Sequence, residues 1–359
     1  MKIAVAMSGG VDSSVTAALL HQEKSTDIFG IFMKNWSEQA EEDMGNCTWI
    51  NDRRDALAVA AHLHMPLKTV DFEKEYRDQV LEYFYREYAA GRTPNPDILC
   101  NKLIKFDALL KYAENLGAEK IATGHYARVS KLKDGRFHLL KGKDNSKDQS
   151  YFLCQLTQGQ LSKTLFPLGE LTKTEVRKLA QKFNLPTADK KDSQGICFIG
   201  KVQLQDFLHV RLATKPGDVI NTTGTIIGSH TGAYAYTIGQ RHGFRIDKKT
   251  PESKPWFVVR TDVTDNTVTV AEGEDNPALF HDELHASHFH WIVEQPNFPC
   301  KCSAKIRYRQ LDQDCTIFAD GHIEFAKPQR AITPGQSIVF YQSDECLGSA
   351  TIENSSAEF

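Results

Sequence analysis

Three short segments of this 359-residue chain carry side chains whose types and spacing suit chemistry. The first is Ser8-Gly9-Gly10-Val11-Asp12-Ser13-Ser14, directly after the apolar run Lys2–Met7. Glycine lets a backbone turn tightly against a polyanion, and successive N–H groups at a helix start hold phosphate oxygens. Ser8 and Ser13 add hydroxyls, while Asp12 suits a phosphate only with Mg²⁺ between them. No Gly-Lys-Ser/Thr follows, so the loop is not of the Walker type. The plain alternative is a glycine turn opening an ordinary βα unit. The buried strand before the loop and the helix after it favour phosphate binding.

The second segment is Asn95-Pro96-Asp97-Ile98-Leu99-Cys100-Asn101. Pro94 and Pro96 hold the chain extended. If Asp97 caps the helix that follows, Cys100 lies in its first turn, where thiolate is favoured over thiol. Cys100 is then a candidate nucleophile with Asp97 in reach for proton transfer. From these residues alone, a capping aspartate followed by a core cysteine is the simpler reading. The third segment is Asp192-Ser193-Gln194-Gly195-Ile196-Cys197-Phe198-Ile199, with Lys190 and Lys191 just before it. Its glycine and polar flanks suggest a loop, and the lysines would lower the pKa of Cys197. Alone, this segment too is ambiguous.

The elements that position these residues alternate strand and helix through the first half. Strands are expected at 2–7, 28–33, 67–72 and 120–123, and helices at 11–22, 73–90 and 102–116. A further helix, capped by Asn51, is expected through Ala56, Val59, Ala60 and Leu63. This pattern predicts an α/β domain, a doubly wound parallel sheet with its ligand at the carboxyl ends of the strands. Asp134-Gly135 marks a hairpin between 128–132 and 137–140, and helices follow at 172–183 and 202–212. Beyond Lys215 the runs are short and β-rich, at 218–221, 225–227, 257–261, 267–271, 305–308, 316–318, 323–325 and 337–341. The expected division is a catalytic domain at 1–206, a small β-rich domain at 207–280 and a terminal β-barrel at 281–359.

The loop resembles that of the N-type ATP pyrophosphatases, a group including GMP synthetase, argininosuccinate synthetase, lysidine synthetase and the tRNA thiolases. Ser-Gly-Gly-Val-Asp-Ser, Asn-Pro-Asp-x-x-Cys-Asn and Gly-Ile-Cys-Phe, in that order, are similar to the bacterial tRNA-specific 2-thiouridylases over essentially the full length. Thr123-Gly124-His125-Tyr126-Ala127, Lys147-Asp148-Gln149-Ser150-Tyr151, Lys305-Ile306-Arg307-Tyr308 and Pro334-Gly335-Gln336 extend the likeness. Ala6 stands where the family shows glycine, a substitution a strand end tolerates. The resemblance implies that Ala6, Met7, Ser8, Gly9, Gly10, Val11, Asp12 and Ser13 bind ATP, with Met33 and Gly124 beside adenine and ribose. Asn95, Pro96 and Asp97 would hold the target uracil, with Asp97 as acid–base residue. Cys197 would carry a persulfide and Cys100 would act as nucleophile, the two forming a transient disulfide. His125, Lys147, Asp148, Gln149, Arg307, Tyr308 and Gln336 would contact tRNA.

The implied reaction is ATP-dependent 2-thiolation of wobble uridine 34, in glutamate, lysine and glutamine tRNAs. The C2 oxygen is adenylated with release of pyrophosphate, and sulfur then displaces AMP. Mg²⁺ accompanies ATP, and a relay protein or cysteine desulfurase supplies sulfur. The target base must leave the anticodon stack to be reached. An iron–sulfur cluster on Cys100, Cys197 and Asp97 is the disfavoured variant, because three protein ligands fall short of the usual four cysteines. Lysidine synthetase would need no cysteine pair, and a redox-regulated RNA-binding protein would release no pyrophosphate.

The rest of the composition agrees with an RNA-modifying enzyme without requiring one. Net charge is −3, against a protein that coats nucleic acid but not against a local basic track. Lys301, Lys305, Arg307 and Arg309 form such a track, and at strand spacing the last three would share one face. Arg241, Arg245, Lys248, Lys249 and Lys254 add basic charge; a solvated charged strand is the alternative. Eight cysteines in a chain of this size do not read as a disulfide framework. Cys47, Cys154, Cys315 and Cys346 read as packing residues, and Cys300/Cys302 lack the second pair of a zinc site. His281, His285, His288 and His290 cluster near a domain junction, with no pattern that completes a metal site. No leader is evident before Lys2 and no apolar run spans a bilayer, so a bacterial cytoplasm with no membrane partner is expected.

Overall fold

The structure, a computed structural model, describes residues 1–36, 49–191, 204–247 and 253–355. Cys47, Cys197, Lys248 and Lys249 lie outside the described residues. Strands β1 (Lys2–Met7), β2 (Asp27–Lys34), β3 (Leu67–Asp71), β4 (Lys120–Ala122), β5 (Ala127–Lys131), β6 (Phe137–Lys141) and β7 (Thr164–Leu165) belong to the first half. Five of them form a sheet in the order β3-β2-β1-β4-β7, every neighbour parallel. The order reverses direction at β1, the strand that feeds the phosphate loop, as the α/β pattern requires. The burial pattern of β1 is nearly continuous because helices cover both faces.

Helix α1 (Val11–His21) follows the loop, and α2 (Trp49–His62) starts two residues before Asn51. Asn51 is therefore inside that helix and does not cap it. The expected helix at 73–90 is present, with a π-helical turn at Arg77–Leu81 in its middle. The next helix begins earlier than its periodicity suggested: Pro96–Leu99 is α-helical and Cys100–Ala108 is π-helical, continuing through Leu109–Asn115. The widened turns of a π segment lie frequently at functional sites.

The second half is β. Strands β8 (Gly217–Asn221), β9 (Ile226–His230), β10 (Arg245–Ile246), β11 (Trp256–Asp262) and β12 (Thr267–Glu272) form a small sheet in the order β10-β9-β8-β12-β11. Then come β13 (Phe280–Trp291), β14 (Cys300–Lys305), β15 (Gln313–Ile317), β16 (His322–Arg330), β17 (Ser337–Gln342) and β18 (Glu345–Ser355). Their order is β13-β16-β15-β14-β17-β18, and β18 pairs back onto β13, closing a six-stranded barrel. Ile317, Ile323, Ile338, Phe340 and Ile352 fill its interior.

Two differences from the sequence-based expectation matter. Hairpin β5–β6 is present, but β6 pairs with β18, so a piece of the first domain extends the barrel sheet. The basic run at 305–308 is not a strand. Strand β14 stops at Lys305, and Arg307 and Arg309 sit in the turn after it. The three residues therefore do not share a face.

Candidate active site

The phosphate loop is built as its glycines demand. Gly9 has φ +73°, and a Cβ there would fall 2.1 Å from the Asp52 carbonyl oxygen. Ser13 is the internal brace: its hydroxyl accepts from the Ser8 N–H at 3.2 Å and donates to the Gly10 carbonyl at 3.0 Å. Gly10 caps α1 without any side-chain acceptor. The N–H groups of Val11, Asp12 and Ser13 thus form a first helical turn aimed out of the sheet's carboxyl edge, the arrangement that receives an anion. Gly124, just beyond β4, packs directly on this turn, where a Cβ would be 2.9 Å from Asp12 C and Ser13 N. Ala6 is a strand residue paired with Ile31, and Met33 is buried near the end of β2.

Two lysines that carry no sequence motif grip this loop. Lys173 Nζ lies 2.7 and 2.9 Å from the two Asp12 carboxylate oxygens, and the Tyr126 hydroxyl donates to Asp12 at 2.8 Å. The Asp12 carboxylate is therefore held by protein groups, and the loop offers Mg²⁺ no dedicated ligand set; the ion would have to enter on nucleotide phosphates. Lys190 donates to the Gly9 carbonyl at 3.0 Å and pairs with Asp52 at 2.8 Å and with Asp55. Burial alone would lower its pKa, but these carboxylates outweigh that and hold it above its ordinary value. Lys190 is bound to the phosphate loop, a partnership that separation in sequence conceals.

The Asn95–Cys100 segment is organised differently from its expected form. The cap is Asn95, whose side chain accepts from the Ile98 N–H at 3.3 Å, with Pro96 at the first helical position. Asp97 is inside the first turn and its Oδ1 is buried. Cys100 is fully buried and opens the π-helical stretch. Neighbouring Asn101 donates to the Phe152 carbonyl at 3.1 Å. Phe106, farther along, packs 5.7 Å from the His125 ring, which follows Gly124. One helix thus links the cysteine to the loop's surroundings. The barrel completes the link: Gln336 donates to the carbonyls of Thr93 and Pro94 at 2.8 and 3.2 Å, and Pro334 accepts from the Thr93 N–H at 2.9 Å.

The other residues expected to meet tRNA are spread along the seam between domains. His125 shares a 2.7 Å hydrogen bond with Thr123 and packs against Phe106 and Phe166; burial, then the charge of Lys105, lowers its pKa well below the usual imidazole value. Asp148 is buried and accepts from the Gly142 N–H and from Ser150, while Gln149 accepts from the Tyr126 N–H at 3.0 Å. Lys147 lies beside Tyr308, whose ring is 4.3 Å from Phe152 and whose phenol is pushed up to about 12 by burial. Arg307 donates to the carbonyls of Ile238 and Ala331 and to Thr333, joining the middle domain to the barrel. Lys305 is buried, 3.7 Å from Asp148 and 3.5 Å from Asp312. The expected phosphate-reading stripe is thereby corrected: a strand residue whose charge is neutralised inside the fold cannot face RNA.

Other expectations resolve by geometry. Cys154 and Cys346 are buried, and burial pushes the Cys154 thiol up to about 12. Cys302 meets Cys315 across strands at 3.7 Å, a neighbour its sequence position did not suggest. The histidines at 281–290 do not converge: His290 bonds the Leu156 carbonyl, and His288, at φ +51°, occupies an irregularity in the β13–β18 ladder.

Comparison with known proteins places this arrangement. The family model described as the tRNA methyl transferase HUP domain matches residues 1–201, its PRC-barrel companion 205–272, and the aminomethyltransferase beta-barrel domain 281–352. The tRNA-specific 2-thiouridylase MnmA of Streptococcus sanguinis (strain SK36) is 51% identical over 98% of this chain and 95% of its own length. The chain belongs to the tRNA-specific 2-thiouridylase family. As a 2-thiouridylase family member it is an enzyme, a sulfurtransferase. Among solved structures, the U34-tRNA thiolase NcsA from Methanococcus maripaludis, with its [4Fe-4S] cluster, shares 18% identity at TM-score 0.36, covering 58% of this chain and 63% of that one. An NH3-dependent NAD synthetase from Campylobacter jejuni shares 17% identity at TM-score 0.31, covering 54% of this chain and 69% of that one. No helix among the described residues is long and apolar enough to cross a membrane.

Proposed function

We propose that this enzyme thiolates the C2 position of uridine 34 in tRNA at the expense of ATP. The observation that carries the reading is the first turn of α1, with no side-chain cap, at the sheet's carboxyl edge, linked through His125 and Phe106 to the helix that begins at Asn95 and bears Cys100. The loop receives the ATP phosphates on the N–H groups of Val11, Asp12 and Ser13. Lys173 and Lys190 keep the loop closed and offset negative charge around it. The uracil C2 oxygen attacks the α phosphorus, the bond to the β phosphate breaks, and pyrophosphate leaves. Mg²⁺, when bound with the nucleotide, neutralises phosphate charge.

The sulfur half uses the two cysteines. The terminal sulfur of a Cys197 persulfide attacks C2 while the Cys100 thiolate attacks the inner sulfur. The sulfane sulfur is reduced, the two thiols are oxidised to a Cys100–Cys197 disulfide, and AMP departs. A dithiol reductant returns both thiols for the next turnover. Asp97, three residues before Cys100 in the same helix, accepts its proton in this reading. The sulfur donor is a relay protein or a cysteine desulfurase, glutamate, lysine and glutamine tRNAs are the substrates, and the domains divide near 206 and 280.

Mass spectrometry of tRNA after incubation with ATP, Mg²⁺, cysteine, a cysteine desulfurase and the protein tests this. The expected product is one sulfur-for-oxygen exchange at the wobble uridine with one pyrophosphate released. Cys100→Ser is expected to lose at least about a hundredfold in thiolation while retaining pyrophosphate release. Full thiolation by Cys100→Ser, or by Cys197→Ser with a protein donor, would overturn the cysteine assignment.

A further inference from the structure

The outer wall of the barrel carries a second group of side chains with ligand chemistry, far in sequence from the phosphate loop and Cys100. In the antiparallel pair β13–β16, Glu283 lies opposite Glu324, Leu284 opposite Ile323, and His285 opposite His322. Leu284 and Ile323 are fully buried in the barrel core. Side chains alternate along a strand, so Glu283, His285, His322 and Glu324 all project outward as a two-by-two block. His322 Nε2 is 3.9 Å from a Glu283 carboxylate oxygen and 3.8 Å from one of Glu324. These three ligand atoms lie within 4.8 Å of one another, the one such His/Cys/Asp/Glu group among the described residues. The His285 ring is 5.2 Å from that of His322.

Four further features bear on this block. His322 Nε2 is buried yet has no hydrogen-bond partner among the described residues, an arrangement that costs stability unless something binds it. Phe318 packs edge-on against its ring at 5.5 Å, and the His322 backbone N–H donates to Asp320 at 3.1 Å. A shallow, open depression lined by Phe318, Ala319, Asp320, His322 and Glu324 lies beside it. Two carboxylates directly opposed across a ladder also repel, and a cation between them reverses that.

We propose that Glu283, His322 and Glu324 bind a divalent metal ion of the zinc type, with His285 flanking the fourth position. Imidazole nitrogen with two carboxylate oxygens suits zinc, whereas magnesium and calcium take oxygen alone. Bonds of about 2.0–2.2 Å at tetrahedral angles put ligand atoms about 3.4 Å apart, so small rotations of the two partly exposed glutamates close the site. The ion fastens β13 to β16 next to the irregular β13–β18 junction that closes the barrel.

Full-length protein, stripped with chelator, is titrated with Zn²⁺ by calorimetry and with Co²⁺ by absorption spectroscopy. One equivalent is expected to bind with micromolar affinity. The cobalt spectrum should lack a thiolate charge-transfer band, and Zn²⁺ but not Mg²⁺ should raise Tm. His322→Ala, and separately the isosteric Glu283→Gln and Glu324→Gln, should each weaken binding at least about tenfold. The glutamine variants keep the test valid if His322→Ala folds poorly. Cys302→Ser should change nothing. Absence of binding at micromolar metal, unchanged affinity in both glutamine variants, or a thiolate band removed by Cys302→Ser would each overturn the assignment.

Discussion

At the scale of single residues, the most informative contacts involve groups with no motif. Lys173 holds both oxygens of Asp12, and Asp12 belongs to the turn proposed to receive the ATP phosphates. Removing it leaves a carboxylate facing an incoming polyanion. A charge-assisted hydrogen bond contributes about 1.5–3 kcal/mol, and 1.4 kcal/mol is tenfold in affinity. Lys173→Met is therefore expected to raise the Kd for ATP about tenfold or more in equilibrium binding, with Lys178→Met as the surface control; equal affinities would show that Lys173 does not set the loop's charge. His125 gives a pH prediction. Burial, then Lys105, depresses its folded pKa, whereas the unfolded chain titrates near about 6.5. Below about pH 6.5 the unfolded state takes up a proton that the folded state refuses. Stability should thus fall as pH drops through and below about 6.5, with no contribution above it. Urea midpoints at about pH 7 and pH 5 are expected to differ less in His125→Gln than in the parent; identical differences would refute the neutral buried imidazole.

At the scale of elements, the segments proposed as catalytic depend on turns that admit no side chain. Gly124 follows β4 and rests on the α1 N-terminus, where an added Cβ meets backbone atoms at 2.9 Å. Backbone cannot rotate aside as a side chain does, so Gly124→Ala must move the loop. Overpacking of this kind costs about 1–3 kcal/mol. The expectation is a lowered Tm together with a weakened ATP Kd, and a Tm loss with unaltered ATP binding would separate packing from loop position. The loop was legible because glycines, serines and helix lie consecutively in one βα unit. The start of the Cys100 helix was legible only in part. Asn95, not Asp97, accepts the first-turn N–H, because Pro96 fits the first helical position and shifts the cap back. Strands β13 and β18 escaped notice because their ladder contains register shifts, with His288 at positive φ, and these break two-residue alternation.

At the scale of the molecule, the barrel and the nucleotide domain are one packed unit. β6 joins the barrel sheet through β18, Gln336 grips the chain before Asn95, and Arg92 pairs with Glu353 at the end of β18. At the centre of this seam, Lys141 and Lys305 both meet Asp312 and both lie over the Tyr341 ring, while Lys305 also faces buried Asp148. Removing one member of a buried ion network leaves an uncompensated charge, at a cost of about 3–5 kcal/mol. Lys305→Met is expected to lower the urea midpoint markedly, yet to leave the salt dependence of tRNA binding unchanged. Exposed Arg309 should behave oppositely, its loss reducing the salt slope by about one with little effect on stability. A reduced salt slope in Lys305→Met would return that residue to an RNA-facing role.

The sequence by itself determined the parallel α/β domain, the glycine turn that opens α1 and the family, because each rests on residues that act as neighbours along the chain. Local backbone geometry needs glycine, cap and periodicity within a few positions, and those are readable in order. Tertiary structure alone decided which charges face solvent and which face each other. Lys190 binding the Gly9 carbonyl, Lys305 turning inward to Asp148, Gln336 clasping Thr93, and Glu283 meeting His322 are contacts across long sequence separations. A basic residue reads the same on a strand whether its partner is a phosphate or a buried aspartate, and only the packing of one strand against another distinguishes them.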